Sequence, residues 1–122
     1  MRIALAMLMV VHGLAHSVGF VGAWHIGPES VPYKTTVLAG RLDLGHAGIR
    51  VVGTLWLAAA IAFVLAAIAA VMGVAWWPQL ALFVALVSAL LSAAELPEAR
   101  LGLAINVGII AVLLTGRWLG RI

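Results

Sequence analysis

Residues 3–24 read IALAMLMVVHGLAHSVGFVGAW, a run of 22 residues without a single Asp, Glu, Lys or Arg. As a helix rising 1.5 Å per residue it extends about 33 Å, enough to cross a hydrocarbon layer of roughly 30 Å. Two histidines interrupt it, His12 and His16, spaced one helical turn apart and so on one face. An imidazole inside hydrocarbon is costly, and the default reading of one is a functional site. The surrounding Leu, Val and Ala say only that the segment belongs in a membrane.

Three further apolar stretches follow, at residues 47–72, 74–96 and 101–119, each about 20 residues or longer. The whole chain agrees: 122 residues, 66% hydrophobic, 9% charged, mean hydropathy +1.22. Water-soluble domains carry about 25% charged residues, so a soluble fold is excluded. The expectation is an all-α, four-transmembrane-helix antiparallel bundle forming a single integral membrane domain over residues 1–122, with a long first loop at 25–46. Trp24, Trp76, Trp77 and Trp118 fall at span ends, where indole rings favour the interface. Trp56 lies inside the second span and reads as a packing residue. Pro78 is placed in the tight second connection, and Pro97 separates the third helix from the fourth. Val21-Gly22-Ala23 would suit a signal-peptide cleavage site, but the histidines in the apolar core argue against that reading.

Cysteine is absent, which removes disulfides, thiol catalysis and Cys-ligated zinc. The net charge of +3 comes from scattered Lys and Arg, the pattern of membrane-flanking charges rather than of a nucleic-acid surface. Ala58, Ala62, Ala66 and Ala70 recur at every fourth position, as do Ala81, Ala85, Ala89 and Ala93. Because lipid-embedded helices associate through close packing of small residues, these stripes predict a tight hairpin of spans two and three. Gly116 and Gly120 form a further small-residue pair at the chain end.

With four spans, every carboxylate falls on the side away from the termini: Glu29, Asp43, Glu95 and Glu98. His25, His46, Lys34, Arg41, Arg50 and Arg100 share that side. His16 lies roughly 12 Å below that end of its span and His12 one turn deeper, while Asn106 enters the fourth span from the same side. Thr54, Ser88 and Ser92 are within comparable reach. A polar cavity near one membrane face is the expectation, with His12, His16, Glu95, Glu98, Asn106 and Arg100 as its candidate residues. The first loop alternates apolar and polar residues from Val31 to Leu38, which suits a cap on that cavity as well as a plain solvated linker. Lys and Arg divide three on the side of the termini against four on the other, so the positive-inside rule settles nothing; termini in the cytoplasm of a multi-pass cell-membrane protein is the orientation adopted.

The histidines admit several readings. An i, i+4 pair suits two ligands of one metal, with His46, Asp43, Glu95 or Glu98 completing the set; the metal candidates are His12, His16, His46 and Asp43. There is no His-Glu-x-x-His motif. Haem held by His16 and His46 is a related alternative. Without a metal, a His/carboxylate cavity could take a quinone, a lipid headgroup or a proton, with His16 and Glu95 as the titrating couple. The plainest reading is that the imidazoles bond Asn106, Ser88 or Ser92 and fix helix register. No phosphate-binding loop, nucleophile elbow, Schiff-base lysine or inverted repeat is present.

The stretches His12-Gly13-Leu14-Ala15-His16-Ser17-Val18-Gly19-Phe20, Gly53-Thr54-Leu55-Trp56-Leu57-Ala58-Ala59 and Glu98-Ala99-Arg100-Leu101-Gly102-Leu103-Ala104-Ile105-Asn106 resemble an uncharacterised family of small bacterial four-span integral membrane proteins. More loosely, the architecture is similar to DoxX-like proteins, some of which are tied to quinone or redox work. The resemblance implies that His12, His16, Glu98 and Asn106 form a shared polar set; His46 has no counterpart in it. The expected function is a membrane-embedded binding or redox-accessory protein whose cavity takes a lipid-soluble ligand such as a quinone. The alternatives are an intramembrane metal- or haem-binding enzyme, and a structural subunit that binds a membrane partner or a second copy of itself. In every case the surrounding partner is the lipid bilayer.

Overall fold

Four helices account for most of the chain: α1 (Arg2–Ala23), α2 (Gly45–Met72), α3 (Trp77–Ala94) and α4 (Arg100–Trp118). The computed structural model describes all 122 residues. Each helix is long and apolar enough to cross a membrane, and the bundle is all-helical apart from one small hairpin. That hairpin pairs β1 (Thr36–Val37) with β2 (Leu42–Asp43), antiparallel, inside the long first loop.

The distribution of side chains is that of a protein solvated by lipid. Large apolar residues such as Met7, Val11, Leu65, Phe83, Leu90 and Leu114 point outwards. The interior is built from smaller or polar ones, with Ala66, Ala70, Ala81, Ala85, Ser88 and Asn106 all fully buried. Met9, Phe63, Ile109 and Leu113 supply the only bulky, fully buried apolar groups. Between helices in lipid, close contact rather than water exclusion drives association, which favours such small side chains.

α2 and α3 pack against each other as the alanine stripes suggest, but the more extensive contact is between α1 and α2. A Cβ at Gly13 would lie 2.9 Å from Phe63 Cβ and 3.1 Å from the Ala60 carbonyl oxygen. At Gly53 it would lie 2.6 Å from Ala23 Cβ. These absent side chains let the two backbones approach. The alanine stripes behave as expected only near their own turn, where Ala66, Ala70, Ala81 and Ala85 are buried, while Ala58 and Ala93 face outwards. Each step of four residues overshoots a helical turn by about 40°, so a stripe of this period drifts off the interface.

Two boundary expectations change. Pro78 lies in the first turn of α3 rather than in the connection, a position where the missing N–H costs nothing. Trp77 is buried in the core, while Trp76 and Trp118 are exposed as expected. Pro97 falls between α3 and α4, which end and restart at Ala94 and Arg100.

The first loop folds back over one end of the bundle. The Leu38 N–H donates to the Ala94 carbonyl at 2.7 Å, tying the hairpin to the end of α3. Asp43 accepts from the Thr35 hydroxyl at 2.8 Å and from the Gly45 N–H at 2.9 Å. It thereby joins the hairpin to the start of α2.

Gly13→Ala should destabilise the protein by about 1–3 kcal/mol, since the Ala60 carbonyl oxygen and the Phe63 Cβ must both yield. Gly108→Ala, where a Cβ meets nothing within 4 Å, should leave stability within about 0.5 kcal/mol. Reversible unfolding of both variants in mixed micelles checks the contrast; equal effects would refute the close α1–α2 approach.

Candidate functional site

His12 and His16 both face inwards, each only 4% exposed. Their rings meet edge to face, with centroids 4.4 Å apart. α2 walls them on one side: Trp56 lies 4.8 Å from the His16 ring and Phe63 lies 5.2 Å from the His12 ring, both in edge-to-face contact. The polar partners come from α3 and α4. Ser88, Ser92 and Asn106 have no exposed surface.

These groups close a ring of hydrogen bonds whose direction is fixed at one point. The His16 Nδ1 lies 2.8 Å from the backbone carbonyl of His12, and a carbonyl can only accept, so Nδ1 carries the proton. In the neutral imidazole Nε2 is then an acceptor. It receives the Ser88 hydroxyl at 2.5 Å. Ser88 Oγ in turn accepts the Asn106 Nδ2 amide at 2.7 Å. That orientation turns Asn106 Oδ1 towards His12, whose Nε2–H donates to it at 3.0 Å. With both imidazoles in the neutral form, the circuit thus runs from His12 to Asn106, Ser88 and His16 and back to the His12 backbone. Asn106 Nδ2 also reaches Ser92 Oγ, at 3.4 Å. No buried side-chain nitrogen or oxygen in the protein lacks a partner.

One atom of the pair stands outside this circuit. The His12 Nδ1 makes no hydrogen bond within the protein, and its ring borders a cavity of about 580 Å³. The volume falls within the roughly 300–1,000 Å³ range of small-molecule sites. His16, Trp56, Gly102 and Ile105 line the inner part, and Val31, Pro32 and Lys34 of the first loop cover the outer part. The loop is therefore a cap on the cavity, one of the two roles its sequence allows.

Two features define the cavity's edges. On the water side, Lys34 Nζ lies 3.1 Å from Glu98 Oε1 and 3.7 Å from Glu95 Oε2. Burial raises the Glu95 carboxyl above the ordinary range, against the pull of Lys34. Glu98 is lowered by its own backbone N–H and by Lys34. On the lipid side, the lining includes Val18 of α1 and Leu101 of α4, which are 58% and 74% exposed. α1 and α4 touch only sparsely, so the cavity reaches the outer surface of the bundle along their seam.

The sequence candidates divide accordingly. His12, His16 and Asn106 come together in the ring. Glu95 and Glu98 line the cavity but belong to the Lys34 cluster, and the expected His16–Glu95 couple does not form because both His16 nitrogens are engaged. Arg100 is exposed and outside the lining. Thr54 bonds back to the Arg50 carbonyl at 2.9 Å and faces outwards. His46 bonds the Tyr33 hydroxyl through Nδ1, and Tyr33 in turn stacks on His25 at 4.6 Å. Asp43 is committed to Thr35 and Gly45, which hold its carboxyl below the ordinary range.

The proposed metal set of His12, His16, His46 and Asp43 is accordingly not assembled; no three His or carboxylate side chains converge anywhere in the protein. Haem between His16 and His46 meets the same obstacle, since His16 has no free nitrogen to offer. Lys34 and Gly102 are site residues that the sequence reading passed over. Lys34 had a usable signal, being the single cation in the alternating loop segment, whereas Gly102 had none beyond its place in a recurring pattern.

Ser88→Ala should cost about 1–3 kcal/mol, because it strips His16 Nε2 of its donor and Asn106 Nδ2 of its short acceptor in a buried setting. Ser92→Ala removes only the 3.4 Å contact and should cost well under half as much. Equal losses in a micelle unfolding assay would contradict the circuit. No known protein family, characterised protein or solved structure matches the chain, and its function must be sought in the ring and the cavity themselves.

Proposed function

We propose that the protein is a membrane-embedded binding or redox-accessory protein whose cavity takes a lipid-soluble ligand of the quinone class. The carrying observation is the pairing of a free imidazole nitrogen with a cavity that reaches the lipid-facing seam of α1 and α4. A ligand site needs apolar walls for affinity and a few placed polar groups for orientation. Trp56, Val18, Leu101 and Ile105 supply the first and His12 with Glu95 the second. A flat ring with polar edges and an apolar tail matches that division, and the tail can remain among the acyl chains.

Binding of a short-chain benzoquinone, offered in both redox forms to protein in lipid nanodiscs, tests this by calorimetry. Saturable binding is expected, weakened at least tenfold by Gly102→Leu, which fills the space beside His12 and Ser92. Leu90→Ala, on the outer surface, should change nothing. Binding of neither form, or indifference to Gly102→Leu, would defeat the proposal.

The reading includes an orientation in the cell membrane, with cytoplasmic termini and the capped cavity on the opposite face. It is supported by Arg2, Arg117 and Arg121, which have no carboxylate near them in sequence, whereas Lys34 on the other side is already bound to Glu95 and Glu98. The chain has no native cysteine, so Ser30→Cys and Arg121→Cys report the two faces cleanly. An impermeant maleimide applied to intact cells should label the first and reach the second only after lysis; the reverse pattern would invert the assignment.

A further inference from the structure

The direction of the hydrogen-bond circuit says more than that a ligand can bind; it says which chemical form. We infer that the cavity selects a ligand that donates a hydrogen bond, so that within the quinone class it holds the reduced, hydroxyl-bearing form in preference to the oxidised one. This rests on the binding role proposed above and narrows it.

The inference follows from counting protons. His12 Nε2 must carry its hydrogen because Asn106 Oδ1 faces it at 3.0 Å. Asn106 cannot turn its amide round, because Nδ2 is needed by Ser88 at 2.7 Å. Ser88 cannot release it, because its own hydrogen is committed to His16 Nε2. His16 cannot exchange its nitrogens, because Nδ1 is held by a backbone carbonyl. A neutral imidazole with hydrogen on Nε2 has a bare lone pair on Nδ1. His12 Nδ1, the unpaired nitrogen of a ring that lines the cavity, is therefore an acceptor, fixed as such by an atom of its own backbone four bonds of the circuit away. A hydroxyl meets that lone pair favourably. A quinone carbonyl brings a second lone pair to the same place and gains nothing there.

The geometry also separates the two histidines. His16 has no nitrogen left for a ligand and is a positioning residue; His12 alone can touch one. Any lipid-soluble hydroxyl satisfies the rule, so a hydroquinone and a hydroxyl-bearing glycerolipid share the required chemistry.

Three probes distinguish them in nanodiscs: decylubiquinol, decylubiquinone and dioctanoylglycerol, each titrated by calorimetry. Leaving the His12 acceptor facing a second acceptor costs on the order of tenfold or more in affinity, so decylubiquinol should bind at least that much more tightly than decylubiquinone. Dioctanoylglycerol binding as tightly as decylubiquinol would support the donor rule and identify a lipid hydroxyl as the occupant. Equal affinity for both redox forms, each abolished by Gly102→Leu, would overturn the inference and leave the cavity's binding role standing. Failure of all three probes to bind would overturn both.

Two further measurements test the proton assignment itself. In the unaltered protein, nitrogen-15 NMR of the histidine rings should show His12 protonated at Nε2 and bare at Nδ1; the opposite tautomer would refute the inference. Asn106→Leu removes the acceptor that holds the Nε2 hydrogen, so the ring becomes free to exchange tautomers. The preference for decylubiquinol should then collapse towards unity, and a preference that survived would overturn the assignment. Asn106→Asp sets a carboxylate opposite Nε2, which favours the imidazolium with hydrogen on both nitrogens, so it too should lose the preference for decylubiquinol.

Discussion

Inside a bilayer a polar group has no water to fall back on, so its donors and acceptors must be answered from within the protein or left to whatever enters it. That constraint governs this bundle. His12, His16, Ser88 and Asn106 come from three helices, and none could be buried alone without a penalty of several kcal/mol. They meet it collectively, by closing a circuit in which each hydrogen has one destination. The circuit also fixes depth and rotation. Moving α1, α3 or α4 by one residue turns its polar group through about 100° and opens the ring. α2 contributes no polar atom; it supplies the aromatic wall of Trp56 and Phe63 against which the imidazoles lean.

The cavity is a by-product of that closure. A histidine has two nitrogens, and the pair needs only three of its four to complete the circuit. The fourth, His12 Nδ1, takes no partner from the chain, and the ring that carries it lines the cavity. The rest of the architecture maintains that space. Gly102 leaves room where a side chain would intrude on Ser92 and approach His12. The first loop lies over the outer part, held by a backbone bond to Ala94 and by Lys34 gripping Glu95 and Glu98. Lys34 offsets the carboxylates that surround it, so the cover does not present a strong field of one sign to whatever lies beneath.

Much of this was legible in the sequence because hydropathy and imidazole spacing are strong signals in a membrane. The four spans, the inward His12–His16 face and the convergence of Asn106 all followed from period and depth. What was not legible was pairing across space. Nothing in the chain says that Lys34 rather than a histidine would take Glu95, since that depends on how a loop of some twenty residues folds back. The extensive α1–α2 contact was not legible for a different reason. A stripe of alanines is conspicuous, but its period drifts around the helix, whereas single glycines such as Gly13 and Gly53 permit closer contact without forming any pattern. Asp43 and His46 resembled ligands until the hairpin and Tyr33 occupied them.

The sparse seam between α1 and α4 carries a consequence for how occupancy is reckoned. A guest that slips in sideways, past Val18 and Leu101, comes from the fatty phase and never equilibrates directly with the aqueous one. Its effective abundance is a mole fraction among phospholipids, which partitioning concentrates far above its nominal molarity. In the proposed role, diluting the suspension with buffer would hardly empty the site, whereas adding blank bilayer would. Thermodynamically, the competing solvent for this protein is oil.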